Sequence, residues 1–179
     1  MPATRPSHLL TLQSFGDISR FLRESVADED SRQLRDSLGL LSTHIDEAVR
    51  ARRTSTDTAD ITRRVAALVL CAREHQLFLT GLGSAWHALY EFGAYQRALR
   101  ELRNAATDWQ QMLDQRNAKE GASFDHFELL AWRTLGEALL LIDMYEHQSD
   151  PSNDLPDAAP SRKLSAVQRV RAWLNRLTR

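Results

Sequence analysis

The sequence predicts an all-α fold, a helical bundle of four to five longer helices with a linker-tethered, amphipathic C-terminal helix. Three observations support this prediction. Glycine and proline are scarce, with seven and five in 179 residues. The runs between them are rich in Ala, Leu, Arg, Glu and Gln, which lose little side-chain freedom in a helix. Long alternating runs of β-branched residues, which would indicate strands, are absent.

Two helices are predicted in the first third of the chain. The first is short and begins near Ser14 or Asp17. The second begins after Asp28 or Asp30, because either carboxylate can accept the free backbone N–H groups of a first helical turn. The apolar residues of this second helix recur every three or four positions and form one face against a core. They are Leu34, Leu38, Leu41, Ile45 and Val49.

The third helix is predicted to be the most buried one. Asp57 or Asp60 can cap its first turn. Its run VAALVLCA, from residue 65 to residue 72, is apolar on all sides. A helix of this kind is expected in the centre of a bundle.

Glycines divide the pattern that follows. The stretch 81–83 contains two of them and predicts a break or a close approach between helices. Helix resumes at Ala85, and Gly93 can end or bend it. A loop is predicted at 117–123, followed by a helix with a broad apolar face over about 124–147.

Charge and composition divide the chain into three parts. Residues 1–148 are predicted to form the helical bundle domain, residues 149–161 a linker rich in Pro, Asp and Ser, and residues 162–179 a basic amphipathic helix. The last eighteen residues carry six basic side chains and no acid. The other 161 residues carry 17 basic side chains against all 24 acids, a balance of −7. Such asymmetry indicates a partner or internal docking of the basic segment.

The C-terminal helix is the first candidate for a functional site. At 100° per residue its apolar side chains fall on one broad side, and its arginines fall largely opposite. The predicted partner-binding residues are Val167, Arg169, Val170, Trp173, Leu174, Arg176 and Leu177. The alternatives are docking on the bundle or on a second copy as a homodimer, a partner's groove, peripheral contact with an anionic membrane, or a polyanion. The acidic body argues against nucleic acid.

A pocket beside the glycine break is the second candidate. Trp86, His87 and Glu91 would line it in a small-molecule-binding or catalytic bundle, whereas Trp109 and Trp132 are expected in the core. Neither Glu-x-x-His, His-Glu-x-x-His, paired Cys-x-x-Cys, an EF-hand loop nor Gly-x-Ser-x-Gly occurs. We therefore predict no metal, no cofactor and no catalytic residue.

The expected compartment is the bacterial cytosol. Cys71 is the only cysteine, so no intramolecular disulfide is possible, and it lies in an apolar run. The N-terminal apolar stretch is too short for a secretory signal, and no segment approaches the roughly 20 apolar residues of a membrane span. Basic residues are almost all arginine, which together with abundant alanine is typical of a GC-rich bacterial genome.

Two segments resemble halves of a tetratricopeptide repeat. Gly93 to Leu99, with Ala105 further on, is similar to the second half, and Trp132 to Gly136 is similar to the first half. Trp132 lies 39 residues after Gly93, whereas a regular 34-residue period would place it about 23 residues after Gly93. The resemblance implies a peptide-binding secretion chaperone. The function that the residues predict is a non-enzymatic interaction protein, namely an adaptor, chaperone or regulator.

Overall fold

The structure is a computed structural model that describes residues 13–24 and 29–148. These residues form six helices: α1 (Phe15–Glu24), α2 (Glu29–Thr54), α3 (Thr58–Thr80), α4 (Ser84–His87), α5 (Tyr90–Asp114) and α6 (Glu120–Gln148). No strand occurs among them, so the predicted all-α helical bundle is confirmed. The predicted linker and C-terminal helix, residues 149–179, lie outside the described residues.

The four long helices, α2, α3, α5 and α6, form a closed ring. Each packs against the helix before it and the helix after it, and α2 also packs on α6. Arg35 near the start of α2 bonds to Glu146 near the end of α6, and Arg52 near the end of α2 bonds to Glu120 at the start of α6. These contacts show that α2 and α6 are antiparallel. Together with the short connections between consecutive helices, they indicate an up-down-up-down bundle.

The short helix α1 lies across the junction of α2 and α6. It packs along α2, and the ring of Phe15 stacks on Trp132 of α6 with 4.2 Å between ring centroids. Its start is a capping box, in which Ser14 Oγ accepts the amide of Asp17 at 3.2 Å and Asp17 Oδ2 accepts the amide of Ser14 at 3.0 Å. Hydrogen bonds from the Gln13 amide and from Ser14 hold the pKa of Asp17 below its usual range.

The core fills the ring and the space beneath α1. Every residue of the predicted apolar face of α2 is buried, as that periodicity requires. The largest fully buried side chains are Trp109, Tyr95, Phe92 and Phe127. No helix among the described residues is long and apolar enough to cross a membrane.

Three helix boundaries in the structure settle or change what the sequence predicted about where helices begin and end. Asp57 caps α3, because its Oδ1 accepts the amide of Ala59 at 3.0 Å, whereas Asp60 bonds to arginines further along α3. Gly93 lies inside α5, since the break falls between α4 and α5. The last helix begins at Glu120, earlier than predicted, after a turn in which Asn117 Oδ1 accepts the Lys119 amide at 2.9 Å.

The prediction that residues 65–72 belong to the most buried helix is wrong. Leu70 and Leu77 of α3 are 56% and 63% exposed. Within the described residues, α3 packs mainly on α2 and α5, whereas α6 packs on α2, α5 and the aromatic ring of α1. One side of α3 therefore faces outward although it carries the apolar side chains of Leu70 and Leu77.

Candidate interaction surface

The outward side of α3 presents a group of apolar side chains, which we call the α3 face. It consists of Ala66, Ala67, Leu70 and Leu77. At 100° per residue these side chains fall within about 100° of one another. Ala67, Leu70 and Leu77 are exposed and Ala66 is half-buried. Contiguous exposed apolar side chains on a soluble protein commonly mark an interaction site.

Charged residues lie among and beside the apolar side chains of the α3 face. Arg63 pairs with Asp60 one turn earlier, and Arg73 and Glu74 lie exposed between the two leucines. Over its whole length α3 carries three arginines and two acids, a net charge of +1. A non-obligate protein–protein interface commonly mixes apolar and charged side chains in this way.

The buried side of α3 is held by a hydrogen-bonded histidine. His75 Nδ1 lies 2.6 Å from Ser37 Oγ of α2, and His75 Nε2 lies 2.6 Å from the Tyr95 hydroxyl of α5. Burial lowers the pKa of His75 to about 4, so the ring is neutral at neutral pH. A neutral imidazole donates through one nitrogen and accepts through the other, and the two contacts use both. The network therefore fixes α3 against its two neighbours in the ring.

The other titratable groups around His75 are held in their neutral forms. Burial, with a smaller contribution from Glu74, raises the pKa of the Cys71 thiol to about 11. Burial also raises the pKa of the Tyr95 phenol. Because the thiolate is the nucleophilic form of cysteine, Cys71 is protonated and inert at neutral pH. His75, Cys71 and Tyr95 therefore hold the helices in place. Because all three are neutral at neutral pH, they provide no thiolate nucleophile.

A second exposed strip lies on α6, and we call it the α6 stripe. It consists of Ala122, Leu129, Leu140 and Met144, which fall within about 60° of one another on the helix. Ala122 is exposed, Leu129 is 50% exposed, and Leu140 and Met144 are half-buried. Arg133 also lies on this side, where it pairs with Glu101 of α5 at 2.9 Å.

The opposite flank of α6 is fastened to α2 by arginines. Glu120 accepts hydrogen bonds from Arg52 at 2.7 and 2.8 Å and from the indole N–H of Trp109 at 2.7 Å. Burial alone would raise the pKa of Glu120, but the bonds from Arg52 and Trp109 outweigh it and lower the pKa. Arg53 pairs with Glu128, and Arg35 with Glu146 at 2.7 Å.

A cleft of about 580 Å³ opens where the start of α1 meets the end of α2 and the middle of α6. Its apolar lining includes the stacked rings of Phe15 and Trp132, and its rim includes Arg50 and Arg53. Each arginine is paired with a carboxylate, Arg50 with Asp46 and Arg53 with Glu128. The charges on this rim are therefore balanced, and the cleft suits an apolar group better than an isolated anion. Trp132 was expected in the core but is only half-buried, whereas Trp109 is fully buried as predicted.

The predicted pocket residues lie near one another but on different helices. Trp86 is 3% exposed, and its indole stacks on Tyr145 with 3.6 Å between ring centroids. Trp86 and His87 lie in α4, whereas Glu91 lies in the first turn of α5, so the three residues are divided between two helices. His87 is exposed, and its ring lies 4.4 Å from that of Phe92. A binding pocket around these residues stays a prediction.

The predicted partner-binding residues of the C-terminal segment, Val167 to Leu177, lie outside the described residues. Over the residues that the structure does describe, no three His, Cys, Asp or Glu side chains are grouped so that they could hold a metal ion. Sequence reasoning missed the α3 face because the run was apolar all round. The interruption of that run by Arg73 and Glu74, between Leu70 and Leu77, was the signal that could have revealed its solvent side.

No protein-family model, curated protein or solved structure matches this chain. The two segments that resemble a tetratricopeptide repeat lie at the start of α5 and in the middle of α6. These helices pack against each other within a closed ring. The resemblance therefore stays a prediction.

Proposed function

We propose that this chain is a non-enzymatic protein-interaction protein, namely an adaptor, chaperone or regulator, which binds its partner through the α3 face. The observation that carries the proposal is the exposure of Leu70 and Leu77 on a helix whose other side is fully packed. Leaving such leucines in water is unfavourable by about 25 cal/mol per Å² of apolar area, and a partner that covers them removes this cost.

An amphipathic helix is the partner element that the α3 face suits best. The 23 residues of α3 are about 35 Å long, enough to pair with a helix of several turns. Leu70 and Leu77 are seven residues apart, the spacing at which one helix meets another along a seam. Arg73 and Glu74, both exposed beside the leucines, favour a partner that carries charges of both signs next to its apolar side.

The C-terminal segment and the compartment belong to the same proposal. In the C-terminal segment, Val167, Val170, Trp173, Leu174 and Leu177 would supply apolar contact and Arg169 and Arg176 would orient it electrostatically, either on the partner or on the chain's own bundle. The bacterial cytosol is proposed from the preference for arginine over lysine and from the single cysteine.

The decisive variant is Leu70→Lys combined with Leu77→Lys, with Leu40→Lys on α2, at a leucine that is 55% exposed, as the matched control. We would measure the solution mass of full-length protein by light scattering and identify proteins cross-linked to it in a bacterial extract. We expect the double variant to weaken the affinity of the contact, with a second copy or with a stoichiometric bound protein, by about tenfold. The control should keep the wild-type affinity. Trp173→Asp, run in parallel, reports whether the C-terminal segment contributes to the same contact. An unchanged mass and an unchanged set of bound proteins in the double variant would refute the α3 face as the binding surface.

The cleft beside Phe15 and Trp132 favours a second candidate function, the binding of a small molecule. A ligand that binds only the folded state raises the melting temperature. We would screen a panel of apolar and amphipathic metabolites by thermal shift, with Val49→Trp as the variant that fills the cleft. A shift abolished by Val49→Trp would place the ligand there, and a shift retained by that variant would direct attention to Trp86, His87 and Glu91.

A further inference from the structure

The α6 stripe differs from the α3 face in the charge that surrounds it. Helix α6 carries six carboxylates and one arginine, a net charge of −5, whereas α3 carries +1. Arg133, the one arginine of α6, is paired with Glu101 of α5. The α6 stripe therefore favours a basic binding segment, whereas α3 carries no comparable excess of either charge.

The acids of α6 fall into two groups. Three of them lie on the side of α6 that faces α2 and bond to its arginines, namely Glu120, Glu128 and Glu146. The other three, Asp125, Glu137 and Asp143, lie at helix positions that border the α6 stripe on its two sides. Asp125 is exposed, and Glu137 and Asp143 are half-buried. The stripe is thus an apolar surface with an acidic margin.

The chain itself contains a segment with the complementary pattern. Residues 162–179 lie outside the described residues and carry six basic side chains and no acid. Their sequence predicts an amphipathic helix with an apolar side that includes Val170, Trp173 and Leu177. In such a helix most arginines lie opposite the apolar side, with Arg169 next to Trp173 at one border and Arg171 at the other, so both borders can meet the acidic margin of the stripe.

The connection between the two is long enough. Helix α6 ends at Gln148, and the thirteen residues 149–161 span at most about 43 Å when fully extended. From Ala122 to Met144 the α6 stripe is about 33 Å long, and a helix from 164 to 177 would need about 20 Å of it. The segment can therefore reach the α6 stripe of its own chain and lie antiparallel to α6.

We infer that the C-terminal segment 162–179 docks along the α6 stripe of the same chain. Leu129, Leu140 and Met144 receive its apolar side, and Asp125, Glu137 and Asp143 receive its arginines. The α3 face is the weaker site for this segment, because α3 carries no excess of carboxylates to pair with six basic side chains. Docking on α6 leaves the α3 face available to a partner.

Hydrogen–deuterium exchange of the full chain tests this docking, with mass spectrometry resolving residues 162–179. Leu129→Lys places a positive charge on the stripe, and Leu70→Lys makes the same change at a leucine of similar exposure on α3, 50% against 56%. We expect protection of the segment in the wild type, about tenfold faster exchange in Leu129→Lys, and no change in Leu70→Lys. Asp125→Asn combined with Glu137→Gln should accelerate exchange in the same direction, as should about 0.5 M NaCl.

Unchanged exchange in α2 and α5 shows that each variant keeps its fold, so the change is confined to the segment. Exchange of the wild-type segment at the rate of an unstructured peptide would overturn the inference. Release by Leu70→Lys would place the segment on α3 instead. Protection that increases with protein concentration from about 1 to 100 μM would assign it to a second copy. The readout requires no partner, so its failure is distinguishable from failure of the proposed function.

Discussion

Helices α3 and α6 have similarly apolar sequences, yet they occupy different environments in the ring. Eleven of the 29 residues of α6 are buried, as are seven of the 23 residues of α3, but the residues left outside differ in kind. On α6 the exposed side is an apolar stripe bordered by acids, and one flank is tied to α2 by three arginines. On α3 two leucines face outward beside a nearly neutral margin.

The neighbouring helices decide which apolar residues of a helix become part of the core. Helix α6 contacts α5, α2 and the aromatic ring of Phe15 in α1. Helix α3 packs mainly on α2 and α5 among the described elements. An apolar residue that points away from both of these neighbours stays exposed, whatever its hydrophobicity.

The sharpest test of this comparison uses two leucines of α3 that are two residues apart. Leu68 is fully buried and Leu70 is 56% exposed. Leu68→Ala leaves a cavity and is expected to lower the free energy of unfolding by about 3 kcal/mol, whereas Leu70→Ala should change it by less than about 0.5 kcal/mol. Urea denaturation measures both. Comparable losses at the two positions would contradict the orientation of α3.

The next effect is a pH dependence that His75 confers on α3. Its pKa is about 4 in the folded state and near 6.5 in the unfolded chain, so the unfolded chain binds more protons between these values. Stability should therefore fall as the pH falls from 6.5 towards 4, by about 3 kcal/mol in total.

Chemical denaturation at pH 7.0, 5.5 and 4.5 measures this loss. His75→Gln should remove most of the slope, and His126→Gln, at an exposed position of α6, should leave it intact. A wild-type stability that is flat from pH 7.0 to 4.5 would show that His75 is not buried in its neutral form.

The smallest effect concerns the ion pairs of α6. Glu120→Gln weakens the bonds from Arg52 and Trp109 at a partly buried site and should cost about 1 to 2 kcal/mol. Glu101→Gln breaks the exposed pair with Arg133 and should cost less than about 0.5 kcal/mol. Thermal melting at low and high salt compares the two. An equal cost would mean that the α2–α6 contact is no stronger than a surface pair.

Helix positions with strict periodicity were predictable from the sequence. The apolar face of α2 was predicted residue by residue, because only one arrangement of a 3.6-residue period buries all five positions. The choice between Asp57 and Asp60 as the cap of α3 was not predictable. Both lie within reach of the first turn, and Asp60 is instead engaged by Arg63 and Arg64.

The candidate surfaces were harder to predict than the helices. The α3 face was hidden because a run that is apolar on all sides carries little information on which side is outward. The cleft was hidden because Phe15 and Trp132 lie far apart in the chain and meet only when α1 crosses from α2 to α6. The contrast between the acidic body and the basic C-terminal segment could be predicted from the sequence, because counting acidic and basic residues requires no knowledge of the fold.

The sequence by itself determined the all-α class, most of the helices, the core face of α2 and the contrast between an acidic body and a basic C-terminal segment. These properties follow from local backbone preferences and from composition. The tertiary structure alone decided that α3 exposes Leu70 and Leu77, that α6 turns a carboxylate flank to α2, and that His75 bridges Ser37 and Tyr95. Each of these depends on which helices become neighbours. Neighbours are set by the packing of residues distant in the chain, which no local pattern specifies.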